Sequence, residues 1–316
     1  MELSYAQNLE DYHLAQVFAG QESGFYIDIG AGHPVGDNVS FWFYLQGWRG
    51  LVVEPQPRLA ELYAHIRPRD TAVCGLIGAT TGEADFFEVE RLHGLSTTVE
   101  AHAREASAFG AGFRRVRRPM QSLAALCEQH GVGPIDFLKI DVEGAEAAVL
   151  AGADFARFRP RVILVEAIRP GTMEQAWAAW EPLLTRQGYG FAFDDGLNRF
   201  YLADEAGELR QRFPTKSAPW DMVRHLYEFG RAPENPGHPD HGLAKTLVQG
   251  FLAALPRLPE DLVWELLQAN AAPDAPDQAA PDGSRKLGRG DLAGDRFRAA
   301  LGRIAAPYDG GQLLDE

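Results

Sequence analysis

The chain is poor in cysteine, in basic charge and in long apolar runs. Cys74 and Cys127 are its only cysteines among 316 residues, which gives no disulfide framework and no zinc spacing. No stretch reaches the roughly 18 apolar residues of a membrane-spanning helix, so no membrane span is expected. The opening MELSYAQNLEDYHLAQVF has neither a basic n-region nor an apolar h-region, so no secretory signal is expected. A cytoplasmic location is the corresponding expectation. Basic residues number 30 against 44 acidic ones, a formal net charge of -14. That balance argues against bulk phosphate neutralisation, and no nucleic-acid partner is expected. What is present is ordinary globular composition, 46% hydrophobic and 23% charged, which excludes a wholly disordered chain.

Short apolar runs at 25–29 and 50–54 read as buried strands. Leu59, Leu62, Tyr63 and Ile66 share one face of the helix that follows. Strand-like runs come at 71–77 and 84–89, then a loop-rich stretch at 90–112. A helix carries Leu123, Leu126 and Cys127. The strand 135–141 precedes a helix with Ala145, Val149 and Leu150, and 161–166 is the next strand. Thr172 and Gln175 have capping-box spacing. They predict a helix bearing Met173, Ala176, Trp177 and Trp180 that Pro182 kinks or ends. Strands near 189–194 and 199–203 close the pattern. Alternating strands and helices predict an α/β fold, a mostly parallel sheet covered on both faces. No internal repeat is present. After 205 the strand signal vanishes. Segments 219–230 and 243–269 read as helical, and 270–292 as a flexible linker. Residues 295–306 suit a short basic amphipathic helix or a frayed tail. The expected domains are 1–205, a helical extension 206–269, and a linker and tail 270–316.

In an open parallel sheet, ligands sit beyond the carboxyl ends of the strands. Asp28, Glu54, Asp141 and Glu166 stand at such ends. Each alone suits a helix cap; together, beside glycines, they favour a cofactor and active-site edge. Gly30 and Gly32 permit a tight turn and close backbone approach. Val35 breaks the G-x-G-x-x-G fingerprint of a dinucleotide site, and Pro34 interrupts the expected helix start. A carboxylate at Asp28 suits a cofactor with a cationic amino-acid portion. Glu54, 24 residues after Gly30, can accept both hydroxyls of a ribose. The pair points to S-adenosylmethionine over NAD.

The segments FYIDIGAGHPVGDNVSFWFYLQGWRGLVVEP (25–55), GLSTTVE (94–100), IDFLKIDVEGAEAAVLAG (135–152), RPRVILVEA (159–167) and GLNRFYLADE (196–205) resemble the FkbM-type family of S-adenosylmethionine-dependent methyltransferases. The resemblance covers about residues 20–230, and FLKIDVEGAE is its most specific block. It implies a class I methyltransferase fold, a Rossmann-like sheet of seven strands with the last one reversed. It also implies O-methylation of a sugar, a polysaccharide or another hydroxylated metabolite. By the same resemblance Asp28, Gly30 and Gly32 would hold the methionine portion and Glu54 the ribose. Many relatives carry an acidic residue just before a G-E-A turn, where this chain has Gly78-Ala79-Thr80-Thr81.

His33 and Pro55 lie against the same loop and strand end, and Ser96 is a further cofactor-binding candidate. Lys139 and Asp141 are two apart on one strand and so point to one face. They form either a structural ion pair or a working one, with Asp141 as base or metal ligand and Lys139 tuning it. Glu166 ends the neighbouring strand, so Asp141 and Glu166 are candidates for Mg²⁺ or another divalent cation. His93, in the loop that would cover the site, is a candidate proton acceptor. Glu143 and Glu146 read as favourable charges at a helix start. The run Arg114, Arg115, Arg117 and Arg118 is a solvated strand edge or a site for an anionic substrate. Trp42, Trp48 and Trp220 are core or interface residues, core being the more frequent outcome. The expected partners are a small-molecule or glycan acceptor and a second copy of the chain. The competing readings are an NAD-dependent oxidoreductase and a scaffold built on an inactive methyltransferase domain.

Overall fold

The apolar runs pair side by side into one central sheet in the computed structural model, which describes residues 1–90, 92–106, 110–269 and 288–310. In chain order the strands are β1 (Leu3–Ser4), β2 (Phe25–Ile29), β3 (Arg49–Val53), β4 (Thr71–Val73), β5 (Leu76–Gly78), β6 (Gly82–Val89), β7 (Phe113–Ser122), β8 (Ile135–Ile140), β9 (Pro160–Glu166), β10 (Tyr189–Asp194), β11 (Asn198–Ala203) and β12 (Arg224–His225). The helices are α1 (Glu10–Val17), α2 (Phe41–Leu45), α3 (Pro57–Ile66), α4 (Glu100–Ala106), α5 (Leu123–Gln129), α6 (Glu146–Ala151), α7 (Glu181–Thr185), α8 (His241–Ala254), α9 (Glu260–Ala269) and α10 (Asp295–Ala305). The chain divides into two compact units, Met1–Glu228 and Phe229–Glu316.

Seven strands of the first unit lie in the order β10-β11-β9-β8-β2-β3-β4. β2, β3, β4, β8 and β9 run parallel. β11 opposes both β9 and β10, so the last strand is reversed, as the sequence resemblance implies. Ile27, Val52, Leu138, Ile140 and Val162–Val165 are buried, because helices cover both faces of a parallel sheet and leave no polar face to its central strands. From β2 the chain moves outward through β3 to β4, then returns to the other side of β2 as β8. The strand order reverses at β2/β8, and that crevice is where an open α/β sheet accepts ligands. Ala206, Leu209 and Phe213 pack into the same core. Of the three tryptophans, Trp48 is buried and Trp220 is exposed, with Trp42 between them.

A second sheet, β5-β7-β6, explains the arginine run. On β7, Arg114 and Arg118 pair with Glu88 of β6, while Arg115 and Arg117 pair with Asp85 and Glu83. The cluster is a cross-strand ladder in which three carboxylates of β6 meet four arginines of β7, the arrangement of a solvated strand edge. The loop-rich reading of 90–112 is corrected as well: it contains the turn His93–Leu95 and α4. No helix starts at Thr172. Its hydroxyl donates to the Arg169 carbonyl and accepts the Glu174 N–H, closing a turn. Pro182 instead sits in the first turn of α7, where its missing N–H costs nothing. Residues 219–230 are not one helix either. They hold short 3-10 turns around β12, which pairs in parallel with β1.

The second unit is helical: α8, α9 and α10, with Pro256 and Pro259 separating the first two. Val263, Leu292 and Ala305 are buried there. Residues 270–287 of the expected linker and 311–316 of the expected tail lie outside the described residues. No described helix is long and apolar enough to cross a membrane.

One buried cation braces the loop after β2. Arg67, at the end of α3, pairs with Asp70 at 2.6 Å, both side chains fully buried. Its guanidinium also donates to Tyr26 Oη, Ser40 Oγ, Asn38 Oδ1 and the Pro34 carbonyl. The Tyr26, Phe41, Tyr44 and Tyr63 rings surround it. Arg67→Met would leave Asp70 buried without its counter-charge, at a cost of about 3–5 kcal/mol. Urea unfolding should show that loss, and adding Asp70→Asn should recover part of it.

Candidate active site

The carboxyl ends of β2, β3 and β8 converge on a turn that only glycine fits. Gly30 and Gly32 have φ of +73° and +61°, a region that disfavours residues with a Cβ. At Gly30 a Cβ would stand 1.7 Å from the Asp141 carbonyl oxygen, so β2 and β8 could not close together here with any larger residue. Nothing lies within 4 Å of the corresponding point at Gly32, so the loop is open on that side. The Gly30 and Ala31 N–H groups donate to the Val53 carbonyl. His33 Nδ1 accepts the Val35 and Gly36 N–H groups, which fixes the turn and places the ring proton of neutral His33 on Nε2.

Lys139 links the strand ends. Its ammonium donates to the Gly30 carbonyl at 2.8 Å and lies 3.3 Å from Asp141 Oδ2 and 3.6 Å from Asp28 Oδ1. Burial alone would favour neutral lysine. The Asp141 and Asp28 carboxylates outweigh it and hold the ammonium above its ordinary pKa. Asp28 is fully buried and accepts the Ser40 hydroxyl at 2.6 Å.

Glu54, at the end of β3, is buried, yet its carboxylate accepts the Gly32 N–H at 2.9 Å and the Gln56 N–H at 2.7 Å. Burial pushes its pKa up to about 7 against the pull of those two donors. Around this frame lies a cavity of about 340 Å³, within the usual range for small-molecule sites. Gly30, Gly32, His33, Glu54, Pro55, Ser96, Lys139 and Asp141 all line it. Eight of the expected positions therefore meet at one place. Ser96 Oγ accepts the Val89 N–H. Leu76, Ile77 and Phe86 supply an apolar wall.

Asp28 and Glu166 are not in that wall. Asp28 sits beneath the loop and acts on it through Ser40 and Lys139. Glu166, at the end of β9, stands with Asp141 and Glu143, one oxygen from each lying within 4.8 Å of the others. Burial first, and then the Asp141 charge, raise the Glu143 and Glu166 carboxyls well above the ordinary range. One oxygen of each is buried without a hydrogen-bond partner. Glu146, expected at a helix start, folds back to accept the Val142 and Gly144 N–H groups. The His93 side chain lies outside the described residues; its neighbours Gly94 and Leu95 line the cavity.

Sequence reasoning missed Glu143 as a member of the cluster. Its φ of 55° turns the chain between Asp141 and α6, a conformation uncommon outside glycine. The pair Glu143-Gly144 was the available signal. His102 is likewise absent from the sequence expectations, because the alanines of α4 do not announce a helix.

A family model described as the methyltransferase FkbM domain matches residues 28–191, just over half of the chain. The chain belongs to the FkbM methyltransferase family. It is an S-adenosylmethionine-dependent methyltransferase. No curated protein matches the chain at a significant level. Among solved structures, a TehB-like SAM-dependent methyltransferase from Corynebacterium glutamicum is 11% identical, with a TM-score of 0.37, over 61% of this chain and 87% of that one. CalO1, a methyltransferase in calicheamicin biosynthesis in its SAH-bound form, is 13% identical, with a TM-score of 0.31, over 61% of this chain and 54% of that one.

This FkbM methyltransferase should show the cost of burying Glu54. The raised carboxyl keeps its proton in the folded state up to about pH 7, whereas the unfolded chain releases it near 4.5. The folded state then binds more protons across that window, so stability falls as pH rises through it, by about 3 kcal/mol for this group. Glu54→Gln should remove that loss. Urea unfolding of both proteins at the two ends of the window should show the variant gaining on wild type as pH rises.

Proposed function

We propose that the protein transfers the methyl group of S-adenosylmethionine to a hydroxyl of a neutral glycan or another hydroxylated metabolite. The observation that carries this reading is that, among the described residues, the cavity offers an anion no unengaged lysine or arginine: Lys139 lines it and is already held by Asp28 and Asp141. Glu54, Asp141 and Glu143 line it, and the Arg114–Arg118 ladder is already paired. Such a wall offers carboxyl oxygens to a cationic methyl donor and to hydrogen-bond-donating hydroxyls, and among the described residues it has no spare cation to hold a carboxylate or phosphate.

The residues present fit the donor. The open face of Gly32 leaves room for close backbone approach. Glu54 is held at the end of β3 by two N–H groups, where its remaining lone pairs can accept a ribose diol. The apolar wall of Leu76, Ile77 and Phe86 can receive a flat base. Lys139 keeps the Gly30 carbonyl in place, and Asp28 keeps Lys139 charged. The donor supplies an activated methyl group. The protein's task is to align the hydroxyl, exclude water and take up its proton.

A divalent cation at Asp141 and Glu166 belongs to the same proposal. The buried, unpartnered Glu166 oxygen supports it, since hard cations take carboxylate oxygens and complete their shells with water.

S-adenosylhomocysteine should raise the melting temperature and NAD should not, since a ligand at about 100 times its Kd adds roughly 2.7 kcal/mol. Tritiated methyl should pass to neutral methyl glycosides and not to uronic acids. Mg²⁺ should raise the melting temperature of the S-adenosylhomocysteine complex further, and Glu166→Gln should abolish that increment. Transfer to the uronic acids in preference would overturn the neutral-acceptor reading. An Mg²⁺ increment that survives Glu166→Gln would remove that residue from the cation site.

A further inference from the structure

A second cavity, of about 240 Å³, is lined by Leu95, His102, Glu105, Ala106, Arg169, Pro170, Gly171 and Thr172. Leu95 also lines the first cavity, so the two share a wall. The Glu143-Gly144 turn connects a residue of each cavity. Glu143 lines the first cavity, and its carbonyl oxygen lies 3.2 Å from His102 Nδ1. His102 is packed on this turn: a Cβ at Gly144 would stand 2.3 Å from His102 Cε1. The same carbonyl accepts the Thr97 hydroxyl at 2.8 Å.

A carbonyl oxygen can only accept, so the His102 contact requires the proton on Nδ1. The neutral ring then carries its lone pair on Nε2. His102 itself lines the second cavity. The rest of the second cavity is electrically self-contained. Arg169 pairs with Glu105 and Glu174, and the Thr172 hydroxyl is engaged with the Arg169 carbonyl and the Glu174 N–H. A neutral, hydroxyl-bearing molecule suits such a pocket; a charged one would have to displace an existing partner.

We propose that this second cavity is the acceptor site and that His102 is the catalytic base for the acceptor hydroxyl. The inference rests on the methyl-transfer reading above. His102 Nε2 takes the hydroxyl proton while the hydroxyl oxygen forms its bond to the methyl carbon. The electron pair of the broken carbon–sulfur bond leaves with sulfur, and the positive charge passes from the sulfonium to the imidazolium. The backbone contact at Nδ1 orients the ring and fixes its tautomer, as a backbone carbonyl does for many working histidines.

The ring tautomer of His102 tests this without an acceptor. Histidine-selective ¹⁵N labelling of the full chain saturated with S-adenosylhomocysteine, with the signals assigned from their absence in His102→Gln, should show the neutral ring protonated on Nδ1. A ring protonated on Nε2 would overturn the proposal, because it has no lone pair to offer the pocket. With neutral methyl glycosides as the probe, His102→Gln should lose about 10²–10⁴-fold in transfer while keeping its affinity for S-adenosylhomocysteine, since His102 does not line the first cavity. Transfer at the wild-type rate by His102→Gln would overturn it too. Absence of transfer by the wild-type protein would count against the glycan reading, and the tautomer would still decide the role of His102.

Discussion

A single buried ammonium, that of Lys139, holds the ligand-binding edge of the sheet together. It reaches the Gly30 carbonyl on β2's loop, Asp28 on β2 itself and Asp141 at the end of β8. These are the two strands between which the sheet order reverses. Burial alone would favour the neutral amine; two carboxylates keep it charged. Gly30 can approach Asp141 closely because it lacks a side chain, and Lys139 fixes that approach from the other side. The open donor-side loop therefore stands on a base braced by Lys139.

A second buried cation continues the brace outward. Arg67 binds Ser40 and Asn38; Ser40 binds Asp28, and Asn38 binds the Ala31 carbonyl. The route from Asp70 to the glycine loop is thus a continuous chain of buried hydrogen bonds, in which leaving any member unpaired is costly. The cavity wall above it is rich in carboxyl groups, Glu54, Asp141 and Glu143. Those carboxyl oxygens suit a cationic donor at the first cavity, and the paired Arg169 leaves the second to a neutral acceptor.

Much of this was legible in the chain. The buried strands are short apolar runs ending in a carboxylate or glycine, and residue order alone places Gly30, Gly32, Glu54, Lys139 and Asp141 at one edge. Asp28 was legible as important but not as buried, since a strand-end carboxylate facing a ligand and one facing a lysine look alike in sequence. The sequence of α4, Glu100–Ala106, has alanine where an apolar stripe would announce a helix, and so concealed His102. The capping-box spacing at Thr172 misled because the same hydroxyl chemistry closes a non-helical turn. The arginine run of β7 was ambiguous until β6 supplied its acidic partners from some thirty residues away.

The most direct measurement is amide hydrogen exchange at Gly30, Ala31 and Gly32 in Lys139→Met against wild type, with S-adenosylhomocysteine affinity measured on the same samples. If Lys139 fixes the loop, those amides should exchange on the order of 100-fold faster, matching the loss of a buried ion pair. Affinity should fall with them, while the amides of β9 and β11 stay protected. Unchanged exchange in the loop together with unchanged affinity would contradict the account.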